Sequence, residues 1–226
     1  LKEIRIYDGP GVDYKCFFNT RVALSSIYGG SEYISAEQIK TREWFDYTSM
    51  LVIPGGAASP YNEALGSDGM ESIREFVEQG GVFLGICAGA YFSAKESEFG
   101  GVYKLPYIKK KHLGLYDGKV KGPVFNNLAE KAKIQVLCSD SVIREVFSYG
   151  GGFFENAHLL QSITILASYS HINIQGLDAA FAKIEYGQGL AFSSFVHFEY
   201  PEVWQSWKAW LKEQIDLEKH VGGLCL

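Results

Sequence analysis

An apolar run, Val82-Phe83-Leu84, leads straight into Gly85-Ile86-Cys87-Ala88-Gly89, and a helix-compatible stretch, Ala90 to Lys95, leaves it. A short buried strand that turns sharply into a helix is the unit of α/β architecture, in which helices connect parallel strands and cover the sheet faces. A cysteine with a glycine two residues to each side also has the layout of a nucleophile elbow with Cys in the Ser position. Such a turn needs room and unusual dihedrals, which Gly85 and Gly89 provide. It sets Cys87 at a helix N-terminus, where the positive dipole end favours thiolate over thiol. A buried structural cysteine is the plainer reading of the same residue.

The segments before the elbow repeat the strand and helix alternation. Glu3 to Tyr7 is strand-like, Asp8-Gly9-Pro10-Gly11 is a turn, and Phe17, Phe18, Val22, Leu24 and Ile27 follow at roughly helical spacing. Ser31 to Ile34 predicts a second strand, and Ser35 a helix cap for a segment reaching about Arg42. Ser49 to Ile53 is a continuous apolar run ending in Pro54-Gly55-Gly56, the pattern of a buried parallel strand. Asp68-Gly69-Met70-Glu71 reads as a helix start, with Ile73, Phe76 and Val77 on one stripe and Gly80-Gly81 as the stop. Repeated βαβ units place a ligand site at the carboxyl ends of the strands, where the loops after Ile53 and Leu84 converge.

From about Val102 to Phe195 strand-like runs dominate: Leu115 to Lys121 with Asp117-Gly118 as a hairpin turn, Ile134 to Cys138, Ile143 to Phe147, Ile163 to Ser168, Phe181 to Glu185 and Leu190 to Val196. A last helix follows Pro201, with Trp204, Trp207, Trp210 and Leu211 as a packing stripe. The 226 residues are 47% hydrophobic and 21% charged, enough for one substantial core, so a single domain over 1–226 is the simplest expectation. A net charge of -5 argues against nucleic acid or an acidic membrane surface as partner, and the short run Lys109-Lys110-Lys111 beside His112 reads as solvated loop.

Cys16, Cys87, Cys138 and Cys225 are scattered without a Cys-x-x-Cys pair, which indicates neither a metal site nor a disulfide framework and suits a reducing, cytoplasmic setting. No apolar run reaches the roughly 18 to 20 residues of a membrane span, and no signal-peptide core opens the chain. The chain begins at Leu1 without Met, which leaves a removed leader open. Oligomeric state is not legible.

A cysteine nucleophile needs a base, and the base an orienting group. Of the five histidines, His197 ends the apolar strand from Leu190, and Glu199 two residues on lies on the same side of an extended segment. The same pair also suits a plain position before a helix whose first turn favours acid. His112, His158, His171 and His220 show no comparable pattern. Gly55 and Gly56, with Ala88, offer backbone N–H groups for an oxyanion, although a simple strand-ending turn explains the glycines as well. Tyr149-Gly150-Gly151-Gly152-Phe153 lacks the marks of a phosphate or dinucleotide loop and reads as a loop bordering the site, so no cofactor is implied.

Together, Leu51 to Gly56, Gly80 to Tyr91 and His197-Phe198-Glu199 resemble the class I glutamine amidotransferase-like superfamily. Within it, the Asp8 to Gly11 turn, Pro60-Tyr61 and the Tyr149 to Phe153 loop resemble the N-terminal domain family of biotin-protein ligases, which also occurs as a stand-alone protein. The resemblance implies a flavodoxin-like, mostly parallel sheet with helices on both faces and a strand-rich second half. It implies Cys87 as nucleophile, His197 as base, Glu199 as orienting acid, and Gly56 with Ala88 as oxyanion donors. Glutaminase domains follow the elbow with a substrate-binding Gln, where this chain has Ala90-Tyr91. Biotin transfer also requires an Arg- and Gly-rich adenylate loop; no such run occurs here, so a complete biotin ligase activity is not expected.

Two function classes follow for a small-molecule substrate or ligand. One is a cysteine-dependent hydrolase or amidotransferase that works on an amide or related acyl carbon through a thioester. The other is a non-catalytic binding or regulatory module that retains the pocket, with Tyr91 or the Gly150 loop closing it. Reversible oxidation of Cys87 as a redox sensor is a third, weaker alternative.

Overall fold

The computed structural model describes residues 2–100, 108–125, 131–171 and 178–217. Val102, His220 and Cys225 lie outside the described residues. The chain runs β1 (Glu3–Tyr7), α1 (Tyr14–Tyr28), β2 (Glu32–Ile34), α2 (Ala36–Thr41), β3 (Thr48–Ile53), α3 (Ala58–Glu78), β4 (Val82–Ile86), α4 (Ala88–Ser93), β5 (Ala94–Phe99) and β6 (Ile108–Lys111). It continues through β7 (Tyr116–Gly122), β8 (Ala132–Cys138), β9 (Ile143–Ser148), β10 (Phe153–Phe154), β11 (Ile163–Tyr169), β12 (Ala179–Tyr186), β13 (Gly189–Ser194) and α5 (Pro201–Gln214). Among the described residues, nine strands form one sheet in the order β2-β1-β3-β4-β13-β12-β11-β8-β9, and four form a second in the order β10-β7-β5-β6. The large sheet is parallel from β2 to β13 and antiparallel beyond it.

The central strands β3 and β4 are buried at every residue, because both faces of the sheet are covered. Alternation along the strands sends side chains to opposite faces. Ile4, Ile6, Met50, Val52, Leu84 and Ile86 join Phe17 and Leu24 of α1 and the tryptophan stripe of α5 in one core. Tyr7, Leu51, Ile53 and Phe83 join Ile39 of α2 and Tyr61, Leu65, Ile73 and Phe76 of α3 in the other. Trp207 is fully buried, and a large apolar side chain removed from water contributes about 1.5–3 kcal/mol, so packing accounts for the stripe. In α1 the helical spacing holds, but Phe18 and Val22 are about half exposed, so only part of the expected stripe faces the sheet.

Local signals are realised where they are self-contained. Ser35 and Gln38 form a reciprocal capping box for α2, and Gly80, at φ +103°, follows the end of α3. The expected start at Asp68 is corrected: α3 begins at Ala58, and its break lies at Gly66 (φ 60°, ψ −168°), a conformation open essentially only to glycine. The helix after the elbow is also shorter and earlier than Ala90 to Lys95, since β5 starts at Ala94 to join the second sheet. Asp117-Gly118 is not a hairpin turn. It lies inside β7, where the register against β5 slips between Ala94 and Glu96 and the extra residue is absorbed as a bulge. Lys109 to Lys111 lie in an exposed strand, β6, with Lys109 paired to Glu96 at 3.0 Å.

Candidate active site

Cys87 is the hinge between β4 and α4. Its backbone sits at φ 51°, ψ −103°, a strained position for a residue with a side chain, and its N–H is bound by the Ser194 carbonyl at 2.7 Å. The two glycines are required by contact. A Cβ on Gly85 would lie 2.5 Å from the Gly89 carbonyl oxygen, and one on Gly89 would lie 2.1 Å from that of Ile53. The elbow can therefore close only with glycine at both places. Cys87 is buried, and its thiol donates to the Tyr149 carbonyl at 3.4 Å.

His197 and Glu199 follow β13, which ends at Ser194, two residues short of the strand expected to reach Val196. The path of the chain here is held instead by a bridge between His197 and Phe147, with backbone bonds of 2.8 and 3.1 Å. His197 Nδ1 and Glu199 Oε1 are 2.7 Å apart with both side chains buried, while His197 Nε2 has no hydrogen-bond partner among the described residues. Burial disfavours the imidazolium, but Glu199 and the neighbouring thiols outweigh it and hold the His197 pKa well above its ordinary value. The pair thus has one nitrogen fixed by a carboxylate, with the Cys16 and Cys87 thiols beside the ring.

The turn after β3 completes the floor. Gly56, at φ +152°, bridges Val12, and that bridge uses the N–H groups of Asp13 and Ala57, leaving the Gly56 N–H outside it. A Cβ on Gly56 would lie 2.0 Å from the Gly11 carbonyl oxygen, so the two loops close only on glycine. Tyr61 supports the turn from below with a bond to the Pro54 carbonyl at 3.0 Å. Ala88 opens α4, where first-turn N–H groups have no helical acceptor. Ala90 and Tyr91 instead direct their N–H groups to the Cys87 carbonyl. The Tyr91 hydroxyl donates to the Gly150 carbonyl at 3.0 Å, which ties the Tyr149 to Gly152 loop over the elbow.

These residues line one cleft of about 800 Å³ that contains Cys87, His197, Gly56, Ala88 and Tyr91. Gly55 is adjacent, its missing side chain leaving the space where Cys16 and His197 meet. Residues without a sequence signal share the cleft. Cys16, in the first turn of α1, is set by the Asp13 cap, whose Oδ1 accepts from the Cys16 N–H at 2.9 Å. Burial raises the Cys16 thiol pKa, against the opposing pull of His197. His112 binds Asn62 through Nδ1 and Ser97 through Nε2 at 2.6 Å, and burial lowers its pKa to about 4. Lys15, Lys110 and Lys131 bring positive charge to the same cleft.

The sheet order and the elbow define a fold of the class I glutamine amidotransferase type. A crystal structure of a glutamine amidotransferase superposes with a TM-score of 0.63 at 20% identity, covering 91% of this chain and 97% of that one. The chain belongs to the biotin-protein ligase N-terminal family, whose model matches residues 2–221. It is 26% identical over 215 residues to the biotin–protein ligase of Schizosaccharomyces pombe (strain 972 / ATCC 24843), covering 87% of this chain but 33% of that protein. It is 32% identical over 164 residues to an uncharacterized protein of Chlamydia muridarum (strain MoPn / Nigg), covering 70% of this chain and 62% of that protein.

Proposed function

We propose that the chain is a thiol-dependent hydrolase or transferase acting on the amide or related acyl carbon of a small molecule. The observation that carries this reading is the strained Cys87 at the start of α4, in one cleft with a His197 whose Nδ1 is held by Glu199. The Cys87 thiolate attacks the acyl carbon, and the carbonyl electrons move to oxygen, where the N–H groups of Gly56 and Ala88 receive them. Collapse expels the amine, which takes a proton from the His197 imidazolium and leaves a thioester on Cys87. His197 then draws a proton from water or a second amine, which attacks the thioester and restores the thiol. Lys15, Lys110 and Lys131 favour a substrate with an anionic group. Transfer of biotin to a carrier is not part of this reading.

The test is the alkylation rate of each cysteine, read by mass spectrometry. Cys87 is expected to react at least tenfold faster than Cys138, with the excess lost in His197→Ala. Equal rates at neutral pH would overturn the assignment.

A binding or regulatory module is the second reading, favoured by Tyr91 closing on the Gly150 loop and by the Cys87 thiol engaged with Tyr149. It predicts ligand-induced stabilisation without product, equal in the wild-type chain and in Cys87→Ala.

A further inference from the structure

The cleft holds a second thiol that the reaction above does not use. Cys16, His197 and Glu199 offer donor atoms that all lie within 4.8 Å of one another, and all three residues are buried. They come from the first turn of α1 and from the segment between β13 and α5. Cys16 Sγ lies 3.9 Å from the Tyr200 hydroxyl, a long contact, and also interacts with His197. Gly55 keeps the space open, because a Cβ there would lie 2.9 Å from Cys16 Sγ and 3.1 Å from His197 Cε1.

Unmet polar groups point to a ligand. His197 Nε2 and Glu199 Oε2 are buried and have no hydrogen-bond partner among the described residues. A buried nitrogen or oxygen left in this state costs about 1–3 kcal/mol, so a group that binds it is favoured. Cys87 lines the same cleft, and its thiol is among the groups that interact with His197.

We propose that Cys16, Cys87 and His197 form a site for a thiophilic divalent cation of the zinc class, with Glu199 as the group that orients the imidazole. Two sulfurs and one imidazole nitrogen are three donors of a tetrahedral zinc set, and the cleft leaves the fourth position to water. Binding releases the two thiol protons and the Nε2 proton of the imidazolium to solvent and forms two metal–sulfur bonds and one metal–nitrogen bond, with no change of oxidation state. The charge of the cation is balanced by the two thiolates, which suits a buried position. Glu199 on Nδ1 fixes the tautomer that presents Nε2, the carboxylate–histidine–metal arrangement that raises ligand basicity. A bound ion would cover Cys87 and withhold it from the proposed reaction.

The inference shares Cys87 and His197 with the proposed function, but its test reads metal binding and not turnover. The purified full chain, stripped with chelator, is titrated with Zn2+ and with Co2+ alone. One ion per chain is expected, and the Co2+ form should show a thiolate charge-transfer band that falls by roughly half in Cys16→Ser and in Cys87→Ser. Glu199→Gln should weaken Zn2+ binding by roughly 10–100-fold, while the double variant Cys138→Ser, Cys225→Ser binds as the wild type does. In the wild-type chain, free of any concern over folding of variants, Zn2+ should protect both Cys16 and Cys87 from alkylation and leave Cys138 unprotected. No stoichiometric binding, a Co2+ spectrum without thiolate ligation, or Cys16 alkylated at the same rate with and without Zn2+ would each overturn the site. Rapid alkylation of Cys87 in the metal-free chain would stand in any of those cases.

Discussion

The thiol of Cys87 donates to the backbone carbonyl of Tyr149 at 3.4 Å, while His197 Nε2 has no hydrogen-bond partner among the described residues. A sulfhydryl is a weak donor, so the loop that carries Tyr149 decides how firmly the thiol is held there. That loop is tied down in turn by Tyr91, through its bond to Gly150.

Tyr91→Phe removes that tie. The loss of a buried hydrogen bond should lower stability by about 0.5–1.5 kcal/mol in urea denaturation, and Cys87 should alkylate several-fold faster as the loop loosens. An unchanged alkylation rate would show that the loop does not restrain the thiol.

Glu199→Gln keeps the shape of the His197 pair and removes its charge. The His197 pKa in the folded chain lies above its ordinary value of 6.5, so the contribution of the pair to stability is full below pH 6.5 and is lost as pH rises through the folded pKa. The stability gap between wild type and Glu199→Gln should therefore be widest below pH 6.5 and narrow on the alkaline side, as measured by denaturation across pH. Breaking a buried pair outright, in Glu199→Ala, should cost about 3–5 kcal/mol.

Gly89→Ala places a methyl group 2.1 Å from the Ile53 carbonyl oxygen. Backbone must move on both sides of the elbow, at a cost of about 3 kcal/mol, at the upper end of the usual range for overpacking. Thermal unfolding should register that loss, and Cys87 alkylation should slow because the turn that presents the thiol is displaced.

His112 is held neutral by burial, with its pKa lowered to about 4. Its folded value lies below the unfolded one near 6.5, so the unfolded chain binds more protons and stability falls as pH drops from 6.5 towards 4. The shift corresponds to on the order of 3 kcal/mol at most, and His112→Gln should remove that acid-side slope. An imidazole signal that titrates near pH 6.5 in the folded chain would contradict it.

Cys87, the glycines beside it and the buried strands β3 and β4 were legible because each depends on neighbours in the chain. Met50 to Ile53 is a short apolar run bounded by Pro54-Gly55-Gly56, which suits a covered strand, and Gly-x-Cys-x-Gly after Val82 to Leu84 can turn in few ways. Asp117-Gly118 misled for the opposite reason, since the choice between a hairpin and a bulge was made by pairing with β5. The helix from Ala58 to Leu65 carried no cap side chain to announce it, and its start at Ala57 shows no side-chain bond.

Local pattern alone thus determined the α/β class and the elbow, because periodicity, glycine dihedrals and side-chain alternation act over a few residues. It set His197 and Glu199 on one side of an extended segment while leaving a plain position before a helix equally open. The tertiary structure decided that Cys16 stands beside His197, that His112 and the lysines face the same cleft, and that the Tyr149 loop covers the thiol. Those relations join segments far apart in the chain. They are set by the order of the strands in the sheet and the packing of α1 and α5 on one face, and no spacing in the sequence records that geometry.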